Sequence, residues 1–348
     1  MKKHLSFLQA VCSIFFVLFL LGSFPAASFA QAGYHLLKKY PLGGEGGWDY
    51  VAFDVSSDRV FISHATHVMV FDANAEKIVG DIPNTIGVHG ITFAPEFNHG
   101  FVSCGKMNSV LMFDLKTLDT LKRIPVEKDP DAIIYDPFSK SIVTCDGHSE
   151  CASVINAATG AVKKTVPLGG SPEFAVSDGK GHVFINLEDK SKVVCVDMKK
   201  FKVIRTVSLA PGEGPTGLAM DTKTHRLFSG CANEKMMILN SDNGKVVASF
   251  PIGAHVDAVV FDPEKKCAIS SNGEGNITVV HETTPDKFEV AETVTTQAGA
   301  RTEALNPKTH DLYLVTSDLG PAPMPTQEHP HPRPSIIPNT FALLKFGY

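Results

Sequence analysis

Seven polar residues recur along the chain at nearly equal spacing, and most of them carry side chains that can bind a cation or move a proton. They are 40 to 44 residues apart and comprise Asp49, His89, Asp131, Glu173, Thr216, Asp257 and Arg301. Carboxylates that converge repel one another, which raises their pKa values unless a cation offsets the charge. Oxygen ligands suit Ca²⁺ or Mg²⁺, whereas an added imidazole suits zinc. The candidate metal ligands are therefore Asp49, His89, Asp131, Glu173 and Asp257.

The same seven residues also have a purely structural interpretation, in which they hydrogen-bond backbone amides and hold neighbouring repeats together. Equivalent positions of a repeat converge through repetition alone, without any ligand. The sequence therefore leaves a divalent metal as a hypothesis and assigns no cofactor with certainty.

Each of these residues begins a similar stretch, typified by D-A-I-I-Y-D-P-F-S-K-S-I-V-T-C at residues 131–145. Two apolar, β-branched runs flank a turn signal, which predicts two strands and a tight turn. A third run often ends on an acid or amide that we interpret as a turn former, as at Asp72, Asp114, Asn156, Asp197 and Asn240. A period near 40 with four short strands is typical of a β-propeller, so we predict an all-β, seven-bladed propeller with four-stranded antiparallel blades.

The last repeat is incomplete, and the beginning of the mature chain resembles the missing strand. Residues 320–339 contain seven prolines and are predicted to form a surface insert, after which Phe341–Phe346 resembles a third strand. H-L-L-K-K-Y-P-L at His35–Leu42 is similar to A-V-K-K-T-V-P-L at Ala161–Leu168. We expect the N-terminal strand to close the last blade, giving a single domain over residues 31–348.

These repeats resemble the YVTN-type (YncE-like) β-propeller repeat proteins over nearly all of the mature chain. Second strands such as F-V-S and L-Y-L-V-T-S carry the resemblance, and Tyr313–Thr316 is nearest to the family tetrapeptide. The resemblance implies the propeller fold. It transfers no catalytic residues, because the family motif is structural.

The N-terminus has the organisation of a cleaved signal peptide over residues 1–30. Lys2 and Lys3 precede an apolar run, Val11–Leu21, and the small-residue stretch 26–30 follows. That run is shorter than the roughly 20 residues of a spanning helix. We therefore expect export to the periplasm or the extracellular space, with no membrane span in the mature chain. A formal net charge of −5 argues against nucleic acid as a partner.

Six cysteines follow the predicted signal peptide, and none lies in a Cys-x-x-Cys motif. Cys145 and Cys151 flank the turn D-G-H-S-E and are the pair we predict to form a disulfide in an oxidising compartment. The alternative is that all six are small buried hydrophobic residues.

In a propeller, the first strand of every blade lines the central channel, so the seven recurring residues should ring its mouth. Loops should place further polar groups farther out, namely His64, His67, Cys104, Asp146, His148, Cys231 and Asn272. We expect a monomeric binding or interaction module that holds a small molecule or a protein at this mouth. The competing hypothesis is a metal-dependent hydrolase or lactonase, with Arg301 as the oxyanion partner and one carboxylate as general base.

Overall fold

Seven four-stranded antiparallel sheets form a ring in the computed structural model, which describes residues 33–324 and 334–348. The sheets are numbered here as blades 1 to 7 in the order of their innermost strands. These innermost strands are β2 (Trp48–Asp54), β6 (Val88–Ala94), β10 (Pro130–Asp136), β14 (Pro172–Ser177), β18 (Pro215–Asp221), β22 (Val256–Asp262) and β26 (Glu303–Leu305). The second strands are β3 (Arg59–His64), β7 (His99–Cys104), β11 (Ser141–Asp146), β15 (His182–Leu187), β19 (Arg226–Cys231), β23 (Cys267–Asn272) and β27 (Leu312–Thr316).

The outer half of each blade completes the predicted four-stranded sheet. The third strands are β4 (His67–Asp72), β8 (Ser109–Asp114), β12 (Cys151–Asn156), β16 (Lys192–Asp197), β20 (Lys235–Asn240), β24 (Asn276–Thr284) and β28 (Ala342–Gly347). The outermost strands are β5 (Lys77–Ile82), β9 (Thr120–Pro125), β13 (Val162–Pro167), β17 (Lys202–Ser208), β21 (Val246–Pro251), β25 (Lys287–Thr295) and β1 (His35–Pro41). Short 3₁₀ turns are found at Pro95–Phe97, Gly105–Met107, Gly147–Ser149 and Glu188–Lys190. The seven-bladed, all-β prediction is confirmed.

The N-terminal strand closes blade 7, as the sequence predicts. β1 pairs antiparallel with β28, so that Tyr40 lies opposite Leu343 and Pro41 opposite Ala342. Hydrogen bonds between the two ends of the described chain therefore complete the ring, and blade 7 has the same four strands as the others.

The proline-rich insert is described only at its two ends, which lie together. Leu319 bridges Ile336, and the Gly320 N–H donates to the Ser335 carbonyl at 2.8 Å. The middle of the insert and the predicted signal peptide lie outside the described residues. Within the described residues, no helix is long and apolar enough to cross a membrane.

The apolar core is divided into seven clusters, one in each seam between neighbouring blades. Alternate residues of a strand point to opposite faces of its sheet. In β3, Val60 and Ile62 accordingly pack towards blade 7, whereas Phe61 packs towards blade 2. Because each blade is covered on both faces, its second strand is apolar almost throughout, which explains the continuous apolar runs in the sequence.

The acids and amides that end the third strands are turn formers, as predicted. Asp114 Oδ1 accepts the backbone N–H groups of Lys116 and Thr117 at 2.8 and 2.9 Å. The equivalent bonds are made by Asp72, Asn156, Asp197 and Asn240. These residues stabilise turns and do not contribute to the channel.

Candidate ligand site at the channel mouth

The residues predicted to ring the channel lie at the start of the innermost strands, where pairing with the second strand is interrupted. The register shifts between Trp48 and Val51 in blade 1, and the same irregularity recurs at the corresponding positions of blades 2 to 6. A β-bulge of this kind re-aims side chains that would otherwise alternate between the two faces of a sheet. The bulge therefore frees Asp49 and its counterparts to face the channel.

Five of the seven predicted residues form a chain of ion pairs across five successive blades. Arg301 Nε lies 2.5 Å from Asp257 Oδ2, and Arg301 Nη2 lies 3.6 Å from Asp49 Oδ1. His89 Nδ1 is 2.5 Å from Asp49 Oδ2 and 3.6 Å from Asp131 Oδ1. The chain runs through blades 6, 7, 1, 2 and 3 and crosses the seam at which the ring closes.

The other two predicted residues behave differently from these five. Thr216 is buried, and its hydroxyl donates to the Val256 carbonyl at 2.9 Å, so it links blade 5 to blade 6. Glu173 makes no side-chain hydrogen bond to any residue that the structure describes. Burial raises the pKa of Glu173, and the charges of Asp131 and Asp257 raise it further. Glu173 is therefore held in its neutral form at the mouth.

The ring carries more acid than its two cations neutralise. Burial raises the pKa of Asp131, and Asp49 and Asp257 add to that effect, although His89 opposes it. Burial lowers the pKa of His89, but its hydrogen bond to Asp49 and the charge of Asp131 outweigh burial and bring the pKa to about 9. His89 is thus a cation at neutral pH, and the site compensates part of its own negative charge.

Two aromatic rings meet across the channel one residue farther in. Tyr50 of blade 1 and Phe174 of blade 4 have ring centroids 5.6 Å apart and planes inclined by 34°. The equivalent positions in the other blades have small side chains, at Gly90, Ala132, Gly217, Ala258 and Thr302. At Gly217 a Cβ atom would lie only 2.5 Å from the Val259 backbone nitrogen. The lack of a side chain at Gly217 therefore lets β18 approach β22 closely, and Tyr50 and Phe174 are the two large side chains at this level of the innermost strands.

Three of the five predicted metal ligands come together as one compact group. One ligand atom each from Asp49, His89 and Asp131 lies within 4.8 Å of the other two. Asp131 Oδ1 is buried and has no hydrogen-bond partner. The group does not include Glu173 or Asp257. Two carboxylates and one imidazole form a mixed oxygen and nitrogen donor set, which fits zinc better than the all-oxygen preference of Ca²⁺ or Mg²⁺.

Most of the loop residues predicted to lie farther out are structural. Asp146 is fully buried and accepts hydrogen bonds from Thr144 and Ser153 within blade 3. His64 is 1% exposed and stacks on Phe341 with ring centroids 4.2 Å apart. Buried side chains also include Cys104, Cys231 and Asn272. His67 and His148 remain accessible and lie near Asp81 and Asp129. Of the seven predicted loop residues, His67 and His148 are therefore the two that remain accessible.

The predicted disulfide between Cys145 and Cys151 is not formed. All six described cysteines are free and buried. Cys145 lies opposite Ala152 in the ladder between β11 and β12, whereas Cys151 lies opposite Asp146. The two thiols occupy adjacent rungs of the ladder, so their side chains point to opposite faces of the blade. The short separation of the two cysteines in the sequence does not show that their side chains lie on opposite faces of the blade.

The sequence did not identify a set of hydrogen bonds that holds the ring positions in place. Small polar side chains near the end of a second strand reach the backbone of the next innermost strand. Ser103 accepts the Gly90 N–H at 2.8 Å and donates to the Asp131 carbonyl, while Ser271 donates to the Arg301 carbonyl at 2.6 Å. Ser63 and Asn186 make equivalent bonds to the carbonyls of His89 and Thr216. The available signal was a lone serine or asparagine at the same place in several apolar strands.

The fold, but not the function, has a counterpart among known structures. A solved structure titled Kuenenia stuttgartiensis Hydrazine Synthase superposes with a TM-score of 0.69 and 15% sequence identity, covering 80% of this chain and 94% of that chain. At that identity the likeness shows the propeller fold alone. No family model matches the chain, and no curated protein is similar to it. The resemblance to YVTN-type proteins remains a prediction.

Proposed function

We propose that this protein is an exported ligand-binding propeller whose channel mouth holds a divalent transition metal, best represented by Zn²⁺, between Asp49, His89 and Asp131. The observation that supports the proposal most strongly is the convergence of these three donor groups within 4.8 Å. Three protein ligands leave a coordination position open at a zinc ion, where a ligand or a partner's side chain can bind.

The charges of the ring support a cation as the occupant. Asp131 Oδ1 is buried without a hydrogen-bond partner, and only the charge of His89, whose Nδ1 lies 3.6 Å away, is shown to compensate it. Burial, together with the charges of Asp131 and Asp257, raises the pKa of Glu173, so this acid is held neutral by a proton. A bound metal ion would supply the positive charge that the ring lacks on the side of blades 3 and 4.

Protons compete with the metal for the same atoms. His89 Nδ1 is bonded to Asp49, and the pKa of His89 is about 9. An imidazole must lose its proton before it binds a metal, so binding should release protons and strengthen as pH rises towards 9. The three side chains then act as an anchor that is weak in acid and strong in mildly alkaline solution.

We do not extend the proposal to hydrolysis. The hydrolase hypothesis assigned the role of oxyanion partner to Arg301, but this guanidinium is engaged by Asp257 at 2.5 Å and lies 3.6 Å from Asp49. A group already neutralised by two carboxylates is a poor partner for a developing oxyanion.

Titration calorimetry of the purified protein with Zn²⁺ tests the proposal. We expect one site per chain, proton release on binding, and at least a tenfold loss of affinity in both Asp131→Asn and His89→Gln. Glu173→Gln is the matched control, because Glu173 lies in the ring but outside the three-residue group, and it should change affinity by less than threefold. Absence of zinc binding, or equal binding by wild type and Asp131→Asn, would overturn the proposal.

A further inference from the structure

A second polar concavity lies between blades 4 and 5, at the opposite end of the strands from the ring. It encloses about 280 Å³ and is called the 4–5 cleft here. Its apolar wall is formed by Phe184, Cys195 and Met220. Its polar wall is formed by Asp178, Lys180, His182, Arg205, Thr222, His225, Ser241 and Asp242. Apolar and charged side chains therefore line the same concavity.

The negative charges of the 4–5 cleft are already engaged. Asp178 Oδ2 lies 2.8 Å from His182 Nδ1, and Asp242 Oδ1 lies 2.8 Å from His225 Nδ1. Burial raises the pKa of Asp178, but hydrogen bonds from the backbone N–H groups of His182 and Lys180 and from the His182 ring hold it below its ordinary value. Asp178 is therefore ionised, and it orients the imidazole so that Nε2 is the unbonded ring nitrogen.

The positive charges of the cleft are less engaged than the negative ones. Lys180 Nζ makes no hydrogen bond or ion pair with any residue in the described part of the chain. Arg205 Nη1 donates to the Ser241 carbonyl at 2.6 Å, which fixes the guanidinium, and its other N–H groups make no hydrogen bond to any residue that the structure describes. The charge available to a ligand in this cleft is accordingly positive.

We propose that the 4–5 cleft binds a small organic oxyanion, a carboxylate or a phosphate ester with an apolar or aromatic group. Lys180 and Arg205 neutralise the oxyanion, since a guanidinium held in place suits the planar geometry of such groups. The apolar group packs on Phe184 and Met220. This site is independent of the metal proposed at the channel mouth.

Titration of the full mature chain with phenyl phosphate, benzoate, inorganic phosphate and benzylamine tests this site by NMR and calorimetry. We expect phenyl phosphate or benzoate to bind at least tenfold more tightly than inorganic phosphate. Benzylamine should not compete. Preferential binding of benzylamine, or no binding of either aromatic anion, would overturn the proposal.

Variants locate the binding without disturbing the fold. Lys180→Met changes an exposed side chain and should weaken phenyl phosphate or benzoate at least fivefold, with an unchanged thermal midpoint. Lys202→Met, at the exposed start of the strand that carries Arg205, is the matched control and should bind normally. Equal affinities in wild type and Lys180→Met would contradict the assignment to this cleft. Zinc affinity serves as an independent readout, because neither variant touches the channel mouth.

Discussion

Asp49 and Glu303 are acids on the innermost strands of two adjacent blades, yet their surroundings differ completely. Asp49 lies at the channel mouth with His89 on one side and Arg301 on the other. Glu303 is 5% exposed in the seam between blades 6 and 7, and neither of its oxygens has a hydrogen-bond partner of good geometry. The six equivalent seam positions hold apolar residues, namely Val51, Ile91, Ile133, Ala175, Leu218 and Val259.

The difference shows where this fold tolerates charge. Burial raises the pKa of Glu303 strongly, and the Ser271 backbone N–H offsets only part of that effect. The seam therefore contains a carboxylic acid that burial keeps neutral, whereas the carboxylates of Asp49 and Asp257 at the mouth lie beside the cations of His89 and Arg301. The following variants test this contrast, starting with the one that should have the largest effect.

Removing the cation that joins blades 6, 7 and 1 should have the largest effect on stability. Arg301→Met leaves Asp257 and Asp49 without their shared partner, and we expect the free energy of unfolding to fall by about 3 kcal/mol. Urea denaturation measures this loss of unfolding free energy. In a double-mutant cycle with Asp257→Asn, the two losses should be strongly non-additive, and simple additivity would show that the ion pair contributes nothing.

Replacing the neutral acid in the seam should have the opposite sign. Glu303→Leu places an apolar side chain where Leu218 already occupies the equivalent position, and we expect about 2 kcal/mol of stabilisation near pH 8. The unfolded chain releases this proton at an ordinary glutamate pKa and the folded protein only at a much higher pH. Wild-type stability therefore declines as pH rises through that interval.

The pH slope separates ionisation from packing at Glu303. Glu303→Gln keeps the shape of the side chain and should abolish this site's contribution to the slope, while Glu303→Leu should abolish it and also raise stability. Unfolding curves at pH 5, 6.5 and 8 provide the comparison. Identical slopes in wild type and Glu303→Gln would show that the acid is ionised in the folded protein.

Replacing Ser103, which lies beneath the channel mouth, should change stability less than replacing Arg301 or Glu303. Ser103→Ala leaves the Gly90 N–H and the Asp131 carbonyl without their hydrogen bonds, at a cost of about 1 kcal/mol. Exposed Ser208, in the outermost strand of blade 4, is the matched control, and Ser208→Ala should cost much less. Because Ser103 positions the Asp131 backbone, zinc affinity should also fall in Ser103→Ala, and unchanged affinity would limit the serine to a role in stability.

The strands and the closure of blade 7 were predictable because a similar sequence pattern occurs seven times along the chain. Seven similar stretches fix the period, and the likeness of residues 35–42 to residues 161–168 identifies the closing strand. The same alignment placed Asp49, Asp131 and His89 in one set, which the structure brings within contact distance.

The remaining features depend on which face of a strand a residue occupies and on what lies across a seam. Cys145 and Cys151 are close in sequence, but alternation sends their side chains to opposite faces. Glu303 follows Arg301 by two residues, and only the packing of blade 6 against blade 7 shows that it is buried without a hydrogen-bond partner of good geometry. The pairing of Tyr50 with Phe174 joins residues three blades apart, which no local pattern encodes.

The central claim is that the convergent side chains at the channel mouth bind a metal ion. Anomalous diffraction above and below the zinc absorption edge, from crystals of the protein equilibrated with Zn²⁺ near pH 8, tests it most directly. We predict one strong anomalous peak per chain, bounded by Asp49, His89 and Asp131, that disappears in Asp131→Asn. A peak only elsewhere on the propeller, or a mouth in which Asp49 and His89 keep their hydrogen bond with no peak beside them, would contradict the claim.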